Sequence, residues 1–457
     1  MKKSKRINML DKKMKSNFCP QKRLASAIAF SLSLVVLPAA AQTAGLVDVY
    51  KMARDYDPRL AQAKAQYQAD QQQLIALEGG LRPQIQADLN YANQSSIRNA
   101  SDIDTTDLSL TLNQSLYQHE LWARIDQSEL ALTTSELALK TAEQDLILNV
   151  TEAYFAVLLA QQTLKLFQSR EESDRLQLES ATASAEVGLA SQVDVLQAKS
   201  NYDISKSNRI NAENSLDIAQ EELQKITGQA LDQLKTLPIQ TEFAPLQLNL
   251  SDIEKTAQMQ NLAVQTANTQ AQIAKQEIEV QKSGYWPTVS LQARINDTSY
   301  DRVGSSSSLQ DNTRNTISFN VSVPIYSGGS TDANITAARF QSQKSLEALR
   351  DSKNQARVNA RTQARNIQRG EVLIAALREA VKSNDAFLAA AEEGFKVGLK
   401  DLLEVFSARS NQVNARKNLI EALHNQVLNQ LRLEATLGDL SEQDLQQFDQ
   451  LLRTLAE

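Results

Sequence analysis

The chain has 457 residues, of which 22% are charged and only 5% are aromatic, a sparse supply of aromatic side chains for one large compact core. Glycine and proline number only 13 and 8, so breaks in regular structure are rare and each one is informative. The single cysteine, Cys19, excludes a disulfide framework.

The N-terminal segment, residues 1–41, predicts a secretory signal peptide. A basic stretch precedes the apolar run Leu24–Leu37, and Pro38–Ala41 supplies small residues for cleavage. This run is too short to span a bilayer comfortably as a helix. Cys19 precedes it, which argues against a lipid anchor at the cleavage point, and Met14 is an alternative start. Cleavage leaves 39 basic and 53 acidic residues, a net charge of −14 that argues against a nucleic-acid partner.

Residues 46–78, which are rich in Ala and Gln, predict helix with one break. A first helix should stop at Asp57–Pro58, because the residue before a proline disfavours the helical conformation. The segment Gly79–Pro83 then ends the second helix, since Gly supplies a stop and Pro cannot continue a helix. After the leader there is no run of about 20 apolar residues, so we expect no transmembrane helix.

Apolar and polar residues then alternate, which predicts a β-hairpin at about residues 83–117. The apolar positions are Ile85, Ala87, Leu89, Tyr91, Leu108, Leu110 and Leu112. A polar loop is expected at Asn93–Thr106. Asp102, Asp104 and Asp107 belong to this loop region, and we expect them to be solvated rather than to bind a cation.

A very long helix follows, at about Gln118–Glu186, and it contains no proline. At 1.5 Å per residue it would extend roughly 100 Å, too far to lie on a globule of this size. Apolar residues recur every seven positions along it, which predicts a coiled coil. They are Ile125, Leu132, Leu139, Leu146, Ala153, Ala160 and Phe167. A tight turn at Val187, Gly188 and Leu189 then leads into a return helix, Ser191–Thr227.

The second half of the chain repeats the first with an offset of 210 residues. The segment VGLASQVDVLQAKSN at Val187–Asn201 matches VGLKDLLEVFSARSN at Val397–Asn411. Two copies of one structural unit are therefore predicted, at residues 42–228 and 253–438. An irregular connector, 229–252, would join them, and a similar appendage, 439–457, would follow.

The second copy predicts the same elements in the same order. They are a helix at Ile253–Lys282, a β-hairpin at about 287–326 with a loop at Thr298–Asn315, a long helix at Gly329–Lys396 and a return helix at Asp401–Leu437. Its alternating apolar positions are Val289, Leu291, Ala293, Ile295, Ile317, Phe319, Val321, Val323 and Ile325. Its seven-residue series is Ala360, Ile367, Ile374, Val381, Leu388 and Phe395. The turn between its long helices is Val397, Gly398 and Leu399.

The sequence offers no catalytic constellation. Its two histidines, His119 and His424, lie in different copies without ligand spacing, and we find no phosphate-binding Gly loop and no nucleophile motif. We therefore expect no enzyme activity, no cofactor and no metal site.

Four amphipathic strands favour a membrane barrel that is shared between chains. The smallest such barrels have about eight strands, and an open sheet edge is not tolerated in lipid. Two chains would supply eight strands and three would supply twelve, and the alternation does not choose between them. The other class of function is a secreted or periplasmic coiled-coil scaffold without a pore, in which the hairpins are surface features.

Several short motifs, in order and duplicated, resemble the TolC family of outer-membrane efflux proteins over the whole mature length. They are Asp57–Leu60, Leu81–Pro83, Leu116-Tyr117 with Leu121-Trp122, Pro324–Tyr326 with Gly328-Gly329, the two VGL turns, Ile226–Gly228 and Leu437-Gly438. The resemblance implies a mainly α-helical homotrimer with a twelve-stranded barrel in the outer membrane and a helical tunnel across the periplasm. An irregular belt at its middle would take the connector and the C-terminus.

The same resemblance implies a passive exit duct for an inner-membrane transporter that is joined by a periplasmic adaptor, serving drug efflux or one-step protein secretion. Both kinds of cargo remain open. The partners would be further copies of the chain, the adaptor, the transporter and outer-membrane lipid. The adaptor would dock at the two VGL turns.

A gate is implied at the hairpin tips. Glu404 would line the constriction as a ring of carboxylates, a device for cation selectivity. Asp194 occupies the matching position of the first copy, where an ordinary early-helix carboxylate is an equal alternative. Family members often carry a second acidic residue one turn on, but Ser407 stands there in this chain.

The closed state should be weakly latched. Where family members carry a Tyr and an Arg able to bond the neighbouring hairpin, this chain has Phe395 and Lys400. Phe395 has no hydroxyl, and Lys400 lacks the two-pronged guanidinium of Arg. We expect Lys400 to pair with Asp194 and Asp401 across the hairpins.

Overall fold

The computed structural model describes residues 43–96, 101–231, 233–243, 249–303 and 310–453. The predicted signal peptide at residues 1–41 lies outside these ranges. Nine α-helices and one four-stranded sheet form within the described residues. The helices are α1 (Leu46–Tyr56), α2 (Pro58–Glu78), α3 (His119–Glu186), α4 (Gln192–Thr227), α5 (Leu250–Gln260), α6 (Leu262–Lys282), α7 (Ser330–Lys396), α8 (Leu402–Leu437) and α9 (Glu442–Asp449).

The break in the first copy lies where the sequence predicts it, and the second copy has a break that was not predicted. The Asp57 carboxylate accepts hydrogen bonds from the backbone N–H groups of Arg59 at 2.8 Å and Leu60 at 2.9 Å. The predicted continuous helix Ile253–Lys282 is wrong, because Asn261 divides it into α5 and α6. Its side-chain oxygen caps α6 as Asp57 caps α2, without a proline to mark the place.

The four strands form one antiparallel sheet in the order β1 (Gln84–Ser96), β2 (Ser101–Gln118), β3 (Thr288–Val303) and β4 (Asn312–Ser322). The pairing of β2 with β3 therefore joins the β-hairpins of the two repeats within one chain. The predicted loops at Asn93–Thr106 and Thr298–Asn315 are too long, because much of each is strand. Asp104 and Asp107 lie on β2, where the Nδ2 of Asn93 donates to Asp104 at 2.6 Å. Polar side chains of this segment bond to the neighbouring strand, so it forms strand although its polar composition is typical of a loop.

The sheet has one apolar and one polar face, as the alternation predicts. Ile85 pairs with Leu112, Leu112 with Ala293, and Ala293 with Ile317, so one apolar row crosses all four strands. On the outer strands the side chains of this face are exposed, and Phe319 is 70% accessible, while Leu112 and Ala293 on the inner strands are partly accessible. The outer edges of β1 and β4 pair with no other strand of the described residues.

The long helices fold back as two antiparallel coiled coils. α3 has 68 residues and packs against α4, while α7 has 67 residues and packs against α8. At 1.5 Å per residue each long helix extends about 100 Å. No helix within the described residues has a segment long and apolar enough to cross a membrane.

The main core lies around the middle of α3, where the connector and the C-terminal appendage meet. The Tyr154 hydroxyl is buried there and donates to the backbone carbonyl of Lys235 at 2.6 Å. Short β-bridges join Ala44 to Leu234 and Thr236 to Arg453. Described parts of the predicted connector and of the C-terminal appendage, at Leu234–Thr236 and Arg453, therefore meet beside α1.

Candidate functional site

The two hairpin tips have the same backbone geometry, 210 residues apart. Gly188 and Gly398 adopt left-handed conformations with φ of 76° and 73°. The Leu189 N–H donates to the Ser184 carbonyl at 2.8 Å, and the Leu399 N–H donates to the Gly394 carbonyl at 2.8 Å. These bonds close a helix C-terminus on a left-handed residue, a place that glycine occupies without steric cost.

Each tip exposes apolar side chains at the end of its coiled coil. Leu189 and Leu399 are 84% and 80% accessible, and Val187 and Val397 are also largely exposed. These are the turns at which the resemblance predicts docking, and docking there stays a prediction. Clustered exposed apolar groups of this kind mark interaction surfaces.

At the first tip, Asp194 acts as a helix cap. Its carboxylate accepts from the backbone N–H of Ser191 at 2.9 Å and from the Ser191 hydroxyl at 2.7 Å. The Ser191 hydroxyl, and then its backbone N–H, hold the pKa of Asp194 below its usual value. The carboxylate is thus occupied within its own hairpin, as the early-helix alternative expected.

At the second tip one residue caps the return helix and a different carboxylate forms an ion pair. Asp401 is the N-cap of α8, and its Oδ1 accepts from the backbone N–H of Glu404 at 2.8 Å. The Glu404 carboxylate is free of the cap and forms an ion pair with the Lys400 ammonium, four residues earlier. Both side chains of this pair are partly accessible to solvent.

Within one chain Lys400 therefore pairs with Glu404 rather than with Asp194 or Asp401, and the predicted pairing across neighbouring hairpins stays a prediction. Asp194 and Asp401 are held by their helix N-termini, while Glu404 lies in the first turn of α8. Lys400 lies in the tight turn just before the N-cap Asp401, so the pair depends on the geometry of this turn and not on helical spacing.

Phe395 is a packing residue as well as the predicted latch position. It contacts two small apolar clusters that join α3, α4, α7 and α8 near the tips. One cluster contains Ala181, Ala198, Leu402 and Phe406, and the other contains Leu388, Ala391, Val405 and Ala408. Phe406, which is 4% accessible, belongs to the repeated motif that carries the resemblance, but its packing role at the tip was not predicted. Ser407, the next residue, is exposed.

The structure thus brings Glu404, Lys400 and Asp401 together in one hairpin and leaves Asp194 in the other. At the second tip the Glu404 carboxylate faces the Lys400 ammonium, which offsets part of its charge. Within the described residues, no group of three His, Cys, Asp or Glu side chains could hold a metal ion.

Known proteins share the sequence pattern of both repeats of this chain. The profile of the family described as outer membrane efflux protein matches residues 49–229 and 255–439, one segment in each repeat. The chain is 30% identical over 428 residues to the outer membrane protein TolC of Escherichia coli K12, covering 92% of this chain and 87% of the relative. It is 26% identical to the proteases secretion protein PrtF of Dickeya chrysanthemi, covering 92% and 94%.

The fold comparison agrees with the sequence comparison. The crystal structure of the CmeC outer membrane channel of Campylobacter jejuni superposes with a TM-score of 0.75 at 15% identity, covering 96% of this chain and 99% of that one. The predicted fold class, outer-membrane location and channel function are confirmed, and the pore-less scaffold finds no support. Both repeats match a family of channels rather than enzymes, and the chain belongs to the outer membrane efflux protein family.

Proposed function

We propose that three copies of the chain assemble around one axis as the passive exit duct of an efflux pump or a type I secretion system. A signal peptide, residues 1–41, would direct export of the chain. Residues 42–228 and 253–438 would form the two repeats of each copy, with 229–252 and 439–457 in the belt between them.

The sheet carries this proposal. It combines an exposed apolar face with two edges, β1 and β4, that lack partners in the described chain. Unpaired backbone groups are costly in lipid, so β1 of one copy must pair with β4 of another. Three copies with four strands each give a closed barrel of twelve strands, which lies within the size range of membrane barrels.

The coiled coils support the same symmetry. α4 and α7 each expose a row of apolar side chains that no other part of the described chain covers. On α4 they are Leu196, Ile204, Ile210 and Ile218, and on α7 they are Phe340, Val358, Val372, Leu373 and Phe387. Packing α4 of one copy on α7 of the next would bury both rows and close a ring of helices.

A periplasmic adaptor would dock on the exposed turns at Val187–Leu189 and Val397–Leu399, and it would connect the duct to an inner-membrane transporter. The two relatives described above are named for the outer membrane and for protease secretion. The cargo proposed here is accordingly a drug-like small molecule or a secreted protein, carried through one duct.

The gate is proposed at the second tip. Three copies of Glu404 would form a carboxylate ring at the constriction, each offset by Lys400, with Asp401 holding the helix start and Phe395 holding the hairpin. A ring of carboxylates selects cations. Asp194, Ser191 and Ser407 would lie near this ring without setting its charge.

Arg substitutions on the two faces of β4 test the membrane sheet. Phe319→Arg, on the apolar face, should cost about 2–4 kcal/mol near the bilayer midplane and impair assembly. The adjacent Asn320→Arg, on the polar face, should be tolerated. The measurement is the amount of heat-stable trimer in outer-membrane fractions, and equal losses in the two variants would mean that the sheet is not in lipid.

A further inference from the structure

A buried ion cluster joins the two coiled coils above their tips. Asp174 of α3 has a side chain with no solvent exposure, and it lies twelve residues before the end of α3. That distance corresponds to about 18 Å along the helix. The Arg409 Nη1 lies 3.4 Å from Asp174 Oδ1, and the Arg170 Nε lies 3.6 Å from Asp174 Oδ2. Both guanidinium groups are largely buried.

The cluster links α3, α7 and α8, and α4 packs beside it. Arg409, on α8, uses its second terminal nitrogen to bind Glu392 Oε1 of α7 at 2.7 Å. Arg170, on α3, donates from Nη1 to the Ser410 hydroxyl of α8 at 3.3 Å. Ser205 of α4 is buried beside the Asp174 carboxylate, while its hydroxyl donates to the Tyr202 carbonyl at 2.9 Å.

Such a cluster restrains the position of α8 along α3 more strictly than the surrounding apolar contacts do. Burial raises the pKa of Asp174, and the two arginines oppose that shift. Removing one member of a buried ion pair leaves an uncompensated charge, so sliding α8 along α3 would be costly. The neighbouring contacts at Ala181 and Ala198 are small and apolar, and they have no directional preference of this kind.

The cluster occurs once per chain, although the helices are duplicated. At an offset of 210 residues, Arg409 corresponds to Lys199 and Asp174 corresponds to Asn384. Lys199 is exposed, and the Asn384 amide donates to the Ala380 carbonyl of its own helix at 2.7 Å. The seam between α3 and α8 therefore has a charged restraint that the equivalent residues of α4 and α7 do not form.

We propose that Asp174, Arg409 and Arg170 form an interlock that fixes the register of the α7–α8 hairpin against the α3–α4 hairpin and thereby positions Glu404. These are positioning residues, because they lie above the tip and act through the helices. The inference rests on the proposed gate for its functional meaning, but its structural content is independent of conductance.

The test compares Asp174→Asn with Glu179→Gln in the assembled protein. Glu179 lies on the same helix, five residues further on, and pairs with Arg175 on the surface, where ion pairs contribute little. A spin label at Leu399→Cys reports the distance between tips of neighbouring copies, and cleavage of the signal peptide would remove Cys19. Conductance of the purified protein in a planar bilayer is measured alongside.

We expect Asp174→Asn to broaden the tip-to-tip distance distribution and to raise the closed-state conductance several-fold, while Glu179→Gln leaves both unchanged. Arg409→Lys is the second variant, because a single ammonium cannot replace a guanidinium that binds Asp174 and Glu392 together. Arg409→Lys should broaden the distance distribution and raise the conductance by smaller amounts than Asp174→Asn. It serves as the test of the interlock if Asp174→Asn fails to assemble.

Wild-type distance distributions in Arg409→Lys and in any assembled Asp174→Asn protein would overturn the interlock. A broadened distribution supports the interlock whatever the conductance does. If conductance stays at the wild-type level while the distances broaden, the gate assignment fails instead.

Discussion

The two return helices, α4 and α8, have equal lengths of 36 residues but very different surroundings. α4 buries five of its residues, whereas α8 buries sixteen. The difference arises from one apolar stripe of α8 that faces the main core. It consists of Leu419, Leu423, Val427 and Leu431. The corresponding positions of α4 are Arg209, Glu213, Asp217 and Glu221. The duplicated motif thus builds the same hairpin twice. The apolar stripe on α8 then decides which of the two hairpins packs against the main core.

The largest effect should come from shortening that stripe. Leu423→Ala removes a side chain that is 1% accessible, and a substitution of this kind costs about 2–5 kcal/mol. Glu213→Ala, the matched change in α4, breaks an exposed pair with Arg209 and should cost about 1 kcal/mol or less. Chemical denaturation of the detergent-solubilised protein, followed by circular dichroism, measures both. Similar losses would mean that α4 and α8 are packed alike.

A histidine of α8 should add an acid-sensitive contribution that has no counterpart at the matching position of α4. His424 is buried against Phe155, with ring centroids 4.7 Å apart, and burial lowers the pKa of His424 to about 4. The unfolded chain titrates near pH 6.5, so it binds the proton first as the pH falls. The folded state should lose about 3 kcal/mol per chain between pH 6.5 and 4.

The melting temperatures at pH 7 and pH 4.5 measure this contribution. The His424→Leu variant should lose less stability on acidification than the wild type. Asn214→His places an exposed histidine at the matching position of α4 and should add no acid sensitivity. The explanation fails if His424→Leu and the wild type lose equal stability.

Local sequence patterns predict part of this molecule, and contacts between distant residues determine the rest. The long helices, the VGL turns and the faces of the sheet follow from periodicity and from glycine and proline, which act locally. The break at Asn261 and the length of β2 could not be predicted, because they depend on a side-chain cap and on cross-strand partners. Asp174 and Arg409 are 235 residues apart, and no local pattern links them.

A smaller effect should distinguish the tips themselves. Lys400→Glu replaces an ion pair with a repulsive pair four residues apart, which should destabilise the second tip by about 0.5 kcal/mol and raise conductance. Ala190→Glu is the matched change at the first tip, where Ser191 already holds Asp194. It should leave conductance unchanged. Single-channel recording checks both variants, and an increase of equal size in Ala190→Glu would mean that the tips do not differ in role.

The central claim is that the second tip carries the gate, and ion selectivity tests it most directly. Reversal potentials across a salt gradient in planar bilayers should show a cation-selective pore in the wild type. Glu404→Gln leaves Lys400 without its partner, so selectivity should fall sharply, whereas Asp194→Asn should leave it close to the wild-type value. Unchanged reversal potentials in Glu404→Gln, or an equal loss in Asp194→Asn, would contradict the account.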